Sequence, residues 1–189
     1  MSNPEVQRIA NELEHVGHAL TTFELLGIRD FEIVAADLVE VIALNEQFTP
    51  EQAAERTGMV MCKDVRSKAS GAKLVLPVLS TLFADRPHLL DGWDMYTVNH
   101  YETGDYFKPH QDYVDGTVVI ATAVGRRALD VFVKEDDDVF NTVSATYDLV
   151  PGSVVILNGF MDLGHAARCV EGPSISVVGD VPERITRDV

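Results

Sequence analysis

Tyr101-Glu-Thr-Gly-Asp-Tyr-Phe-Lys-Pro-His-Gln-Asp112 is the most informative stretch of this chain. Residues two apart on a strand share a face, so His110 and Asp112 offer an imidazole and a carboxylate to one ion from a single strand edge. A third ligand has to come from elsewhere. His165 follows a strand-like run, Ser153-Val-Val-Ile-Leu157, and stands 165 − 112 = 53 residues beyond the aspartate. Two histidines and one carboxylate on one side of an ion leave its other positions open, which is the donor set of non-heme Fe(II) oxygen chemistry.

The spacing around these ligands resembles the iron(II)/2-oxoglutarate-dependent dioxygenases, and within them the prolyl-4-hydroxylase-like branch, over about the C-terminal half of the chain. That branch places a tyrosine, a glycine, an aromatic residue, the histidine and the aspartate at intervals met here by Tyr101, Gly104, Phe107, His110 and Asp112 without a gap. A Pro-Gly before a hydrophobic strand, Pro151-Gly152, and a glycine beyond the distal histidine, Gly172, follow in order.

The resemblance implies a double-stranded β-helix, or jelly roll, braced by N-terminal helices. It also implies Fe(II) held by His110, Asp112 and His165, with 2-oxoglutarate and O2 as co-substrates. The expected reaction is hydroxylation of a C–H bond in a small molecule, amino acid or peptide, with succinate and CO2 as co-products. Tyr101 matches a position whose phenol hydrogen-bonds the co-substrate, and a half-buried strand tyrosine is the structural alternative. Phe107 has no polar group to offer and reads as packing.

One position departs from the family. Beyond the distal histidine the family carries an arginine or lysine for the far carboxylate of 2-oxoglutarate, often with serine or threonine two residues on. This chain has Ser174-Ile175-Ser176, which keeps the serine and lacks the cation. Burying that carboxylate without a counter-charge is costly. Arg126 and Arg127 are the candidate substitutes, since other branches place a lysine or tyrosine contact near this point. Adjacent strand residues face opposite ways, so at most one of the pair points inward, and Gly125 before them permits a bulge that leaves open which one. Two surface arginines at a turn is the competing reading. Arg168, three residues past His165, is the next candidate. The departure also keeps open an iron oxygenase that uses no 2-oxoglutarate, or uses another keto acid; a catalytically silent jelly-roll binding protein is a third reading, against which the intact ligand triad argues.

At 189 residues the chain is expected to form one domain, residues 1–90 a mainly helical support and residues 91–189 the β-helix core. Val6, Ile9, Leu13 and Val16 recur at helical spacing, as do Phe31, Val34, Leu38, Val41 and Ile42. Thr49-Pro50-Glu51-Gln52 reads as a capping box opening a short helix. A further helix is expected over Lys73 to Ala84, with Pro77 near its start or kinking it. Past residue 90, strands are expected at Met95 to His100, Thr117 to Val124, Leu129 to Lys134, Thr142 to Asp148, Ser153 to Asn158 and Ser174 to Gly179. Asn99 and Tyr96 are weaker candidates for the inner face.

A formal net charge of −15 argues against a nucleic-acid or anionic-membrane partner, because phosphate binding needs a basic face. Glu135-Asp-Asp-Asp138 reads as a solvated loop. Two cysteines, Cys62 and Cys169, with no paired-cysteine motif fit reduced thiols, and the N-terminus shows no signal peptide, so a cytoplasmic location is expected. Substrate identity and oligomeric state are not legible.

Overall fold

A computed structural model describes residues 3–44, 56–57, 60–61, 65–112, 116–135, 139–159, 161 and 163–185. The elements are α1 (Pro4–His15), β1 (His18–Thr22), α2 (Phe31–Leu44), β2 (Arg56–Thr57), β3 (Val60–Met61), α3 (Val65–Leu82), a 3-10 turn (Pro87–Leu90), β4 (Tyr96–Tyr101), β5 (Tyr106–His110), β6 (Thr117–Glu135), β7 (Val139–Leu149), β8 (Ser153–Asn158) and β9 (Leu163–Val181). All strand pairs are antiparallel.

Two 19-residue strands, β6 and β9, pair along nearly their whole length and organise everything else. Their outer partners change halfway. Residues 117–121 of β6 pair with β8, which pairs in turn with β1, while residues 174–179 of β9 pair with β4 and then β3. Beyond the midpoint β6 pairs with β7, and β9 pairs with β5 and then β2. The result is the double-stranded β-helix, two half-sheets sharing two central strands.

Gly125 marks the change. It has φ +72°, a conformation that costs other residues energy, and a Cβ there would sit 2.4 Å from the Pro173 carbonyl oxygen. The β6–β9 register shifts between Thr122 and Arg127, so the bulge foreseen at this glycine is present. Thr117 to Val124 and Leu129 to Lys134 are therefore one bent strand rather than two.

The first half-sheet is buried on both faces, which explains its unbroken apolar runs. Val119, Ala121, Val154, Ile156, Ile175 and Val177 pack outward with Leu38 and Ile42 of α2 and Leu74, Val75, Val78 and Leu79 of α3. Val118, Ile120, Val155 and Leu157 point the other way, into an inner core with Leu129, Val131, Leu149 and Ala167 of the second half-sheet. The second half-sheet leaves its outer face to solvent, and Arg126, Arg168 and Val170 are exposed there.

Several elements differ from expectation. His18–Thr22 adds a strand to the first half-sheet inside the region expected to be mainly helical. Val16 is not helical: α1 ends at His15, and Val16 is its half-exposed C-cap. Helix α3 begins at Val65, so Pro77 lies in its interior, where the Thr81 hydroxyl donates to the Pro77 carbonyl at 2.9 Å. Its apolar face packs well enough to carry the lost backbone bond. Thr49 to Gln52, Cys62 and the acidic run at 136–138 lie outside the described residues. Among the described residues no helix is long and apolar enough to cross a membrane.

Candidate metal centre and the cavity behind it

His110 ends β5 and pairs directly with His165 on β9, so the two imidazoles meet as cross-strand neighbours with ring centroids 4.2 Å apart. Asp112 lies two residues past the end of β5, not on the strand edge itself, yet its carboxylate reaches both rings. Its Oδ1 is 3.7 Å from His110 Nε2, and its Oδ2 is 3.7 Å from His165 Nε2. One ligand atom from each of the three residues falls within 4.8 Å of the others.

The donor set fits a divalent metal ion. His110 Nδ1 lies 2.9 Å from the Lys108 carbonyl oxygen, which makes Nδ1 the protonated nitrogen and turns the Nε2 lone pair inward. Phe107 stacks on the same ring at 3.6 Å and fixes its plane. Burial, opposed by Asp112, holds the His165 imidazole down to about 4, so it is neutral and able to ligate at neutral pH. Asp112 Oδ2 is shut off from solvent and has no hydrogen-bond partner among the described residues. A buried carboxylate oxygen left so is expensive, and a cation between the three ligands would satisfy it.

Behind the triad lies a cavity between the half-sheets, lined by Thr97, Asn99, Tyr101, Phe107, Ile120, Arg127, Leu129, Ala167, Ser176 and Val178 together with the three ligands. Thr97, Asn99 and Tyr101 alternate along β4, so the period of two that marked His110 and Asp112 would also have found the first two from Tyr101. Tyr96, one residue out of phase, packs instead on the helical side against Trp93.

The two candidate arginines separate completely. Arg126 points outward and is paired at the surface with Asp148, Nη2 to Oδ2 2.6 Å. Arg127 points inward and is 2% exposed. Its Nε and Nη2 donate to the Ser174 hydroxyl at 3.1 and 2.8 Å, its Nη1 donates to the Ser176 hydroxyl, and its Cζ lies 5.0 Å from the centre of the Tyr101 ring. Burial pushes this guanidinium down to about 10, which still leaves it cationic at neutral pH. Among the described residues its partners are all neutral. Arg168 sits on the outer face of β9, opposite in phase to His165 and Ala167, and is exposed, so it does not join this group.

No protein-family model matches the sequence, and no curated protein does. Solved structures do. A prolyl-4-hydroxylase from Pseudomonas putida is 16% identical, with a TM-score of 0.57 over 96% of this chain and 100% of that one. A Trichoplax adhaerens prolyl hydroxylase, solved with a peptide fragment of the hypoxia inducible factor oxygen degradation domain, is 13% identical, with a TM-score of 0.65 over 95% of this chain and 90% of that one. The Escherichia coli ribosomal oxygenase YcfD, solved with cobalt and 2-oxoglutarate, is 16% identical, with a TM-score of 0.56 over 90% of this chain and 50% of that one. The chain thus has the fold of the iron(II)/2-oxoglutarate oxygenases, in its prolyl-hydroxylase-like form.

Proposed function

From that shared fold and the three converging ligands, we propose that this chain is an Fe(II)- and 2-oxoglutarate-dependent dioxygenase that hydroxylates a C–H bond of a small molecule, amino acid or peptide. The observation that carries the proposal is Arg127. A buried guanidinium whose only described partners are two hydroxyls and a ring has given up hydration without gaining a counter-ion. It lines the same cavity as His110, Asp112 and His165. An anion with a chelating end and a carboxylate end would answer both sites, and 2-oxoglutarate is such an anion.

His110, Asp112 and His165 would hold one side of the metal and leave the cavity side open. Arg127 would hold the far carboxylate, oriented by Ser174 and Ser176, with the Tyr101 ring supporting the guanidinium from below. Ile120, Leu129 and Val178 line the space between and would keep water from it. Bound iron would supply oxygen activation coupled to decarboxylation of the keto acid.

The lack of a cation at Ser174 was the main support for an oxygenase independent of 2-oxoglutarate. Arg127 supplies that charge from the neighbouring strand and favours the 2-oxoglutarate reading. The test is an anaerobic titration of 2-oxoglutarate into Fe(II)-loaded protein, following the weak visible charge-transfer band of a chelated keto acid. A saturable band supports the proposal. No band from protein with iron demonstrably bound would sink it.

A further inference from the structure

We propose that Asp180 anchors an alkylammonium group of the substrate at the mouth of the cavity, across from the metal centre. The inference rests on the oxygenase reading above and adds the substrate's charge. Position comes first. Val178 lines the cavity, and the next residue, Gly179, faces the helices, where a Cβ would lie 2.6 Å from Val75 and 2.9 Å from Trp93. The strand's alternation therefore returns Asp180 to the inner face, beside its register partner Val118, an inner-core residue.

Counted along β9 from Pro173, where the strand folds over, Asp180 is 180 − 173 = 7 residues onto the first half-sheet. His165 is 173 − 165 = 8 residues back along the second. His165, opposite His110, belongs to the second half-sheet, and Asp180, opposite Val118, belongs to the first. Asp112 acts on Asp180 electrostatically, which independently places the two carboxylates near one another. The backbone of Asp180 is pinned: its carbonyl accepts from Trp93 Nε1 at 2.7 Å, and its amide donates to the Met95 carbonyl at 3.2 Å.

One oxygen of the Asp180 carboxylate is left orphaned. Oδ2 is shut off from solvent and has no hydrogen-bond partner among the described residues, and none of the described cations lies against it. Burial pushes its carboxyl upward. A bound cation would relieve each of these costs. One orphaned oxygen suits a compact point charge better than a planar guanidinium, which needs two parallel acceptors. The net charge of −15 would draw such a substrate in.

The experiment uses full-length protein loaded with Zn(II) and 2-oxoglutarate, titrated by calorimetry with n-butylammonium and, separately, with n-butanol. The cation should bind saturably and at least tenfold more tightly than the alcohol. Asp180→Asn should remove that preference, and Asp180→Glu, which keeps the charge, should retain it. Equal binding of the two probes, or a preference that survives Asp180→Asn, would overturn the anchor. Binding of 2-oxoglutarate is read in the same instrument beforehand. Its failure with the ammonium preference intact would strike the co-substrate reading alone, and its success with no preference would strike the anchor alone.

Discussion

Arg127 on β6 and Ser174 on β9 are joined across neighbouring strands, the guanidinium donating twice to one hydroxyl at 2.8 and 3.1 Å. Ser174 occupies the place at which the resembling family carries its cation, so the positive charge here comes from the neighbouring strand and is hydrogen-bonded to that place.

Removing that charge should therefore cost co-substrate affinity. Arg127→Ala is expected to weaken 2-oxoglutarate binding by at least ~30-fold, about 2 kcal/mol, because a buried ionic contact would be lost. Arg126→Ala should change it by less than about twofold, since its pair is at the surface. The double variant Arg127→Ser with Ser174→Arg should recover part of the loss. The charge-transfer titration reads all three, and equal effects of the two single variants would refute the assignment.

The metal ligands can be tested without turnover. Adding Co(II) to metal-free protein should raise its melting temperature, because an ion that binds only the folded chain stabilises it by mass action. His110→Ala, His165→Ala and Asp112→Asn should each lose most of that rise. Asp112→Asn should leave the metal-free protein no less stable than the wild type, since it removes a buried carboxylate oxygen without a described partner. An undiminished cobalt effect in these variants would rule the triad out as the binding site.

Gly125→Ala tests the bend. Positive φ and a 2.4 Å approach to the Pro173 carbonyl oxygen leave no room for a Cβ, so a loss of about 1–3 kcal/mol is expected in denaturant unfolding. Because Arg127 lies two residues away, 2-oxoglutarate affinity should fall with it. Wild-type stability in this variant would mean the strand does not turn at Gly125.

Acid should weaken the protein in part through His18. Its Nδ1 lies 2.6 Å from the Tyr147 hydroxyl, and burial pulls the imidazole below its usual value of 6.5. The unfolded chain then binds the proton more readily than the folded one, so stability present above 6.5 is lost as pH falls below it, until the folded ring protonates as well. His18→Gln should show a shallower fall in unfolding free energy between about pH 7 and pH 5 than the wild type. Parallel curves would show that His18 contributes nothing to the dependence.

Much of this site was legible in the sequence because its logic is local. The i, i+2 spacing of His110 and Asp112 survives any uncertainty about strand ends, even though Asp112 proved to lie beyond β5. Arg127 was recognisable as a candidate but not separable from Arg126, since a bulge at Gly125 decides the phase and its extent is set by the close approach of Pro173. His18–Thr22 was hidden because a five-residue strand whose only partner among the described residues is β8 has no local signature to set against the helical pattern before it. Asp180 escaped notice for a related reason: one acid at the end of an apolar strand reads as a solvated terminus until the opposite sheet is known.

The shared ownership of β6 and β9 by both half-sheets makes the cavity a caliper. Arg127 and Val131, the latter paired with His165, are four residues apart on one strand, about 13 Å at ~3.3 Å per residue, and that interval is held by a hydrogen-bond ladder rather than by a loop. Connections around the mouth are free to lengthen or change composition without altering it. Selection for a new substrate at the rim would leave the span between cation and metal untouched, whereas a single residue inserted into β6 between positions 127 and 131 would turn one of them away from the cavity and break the measure.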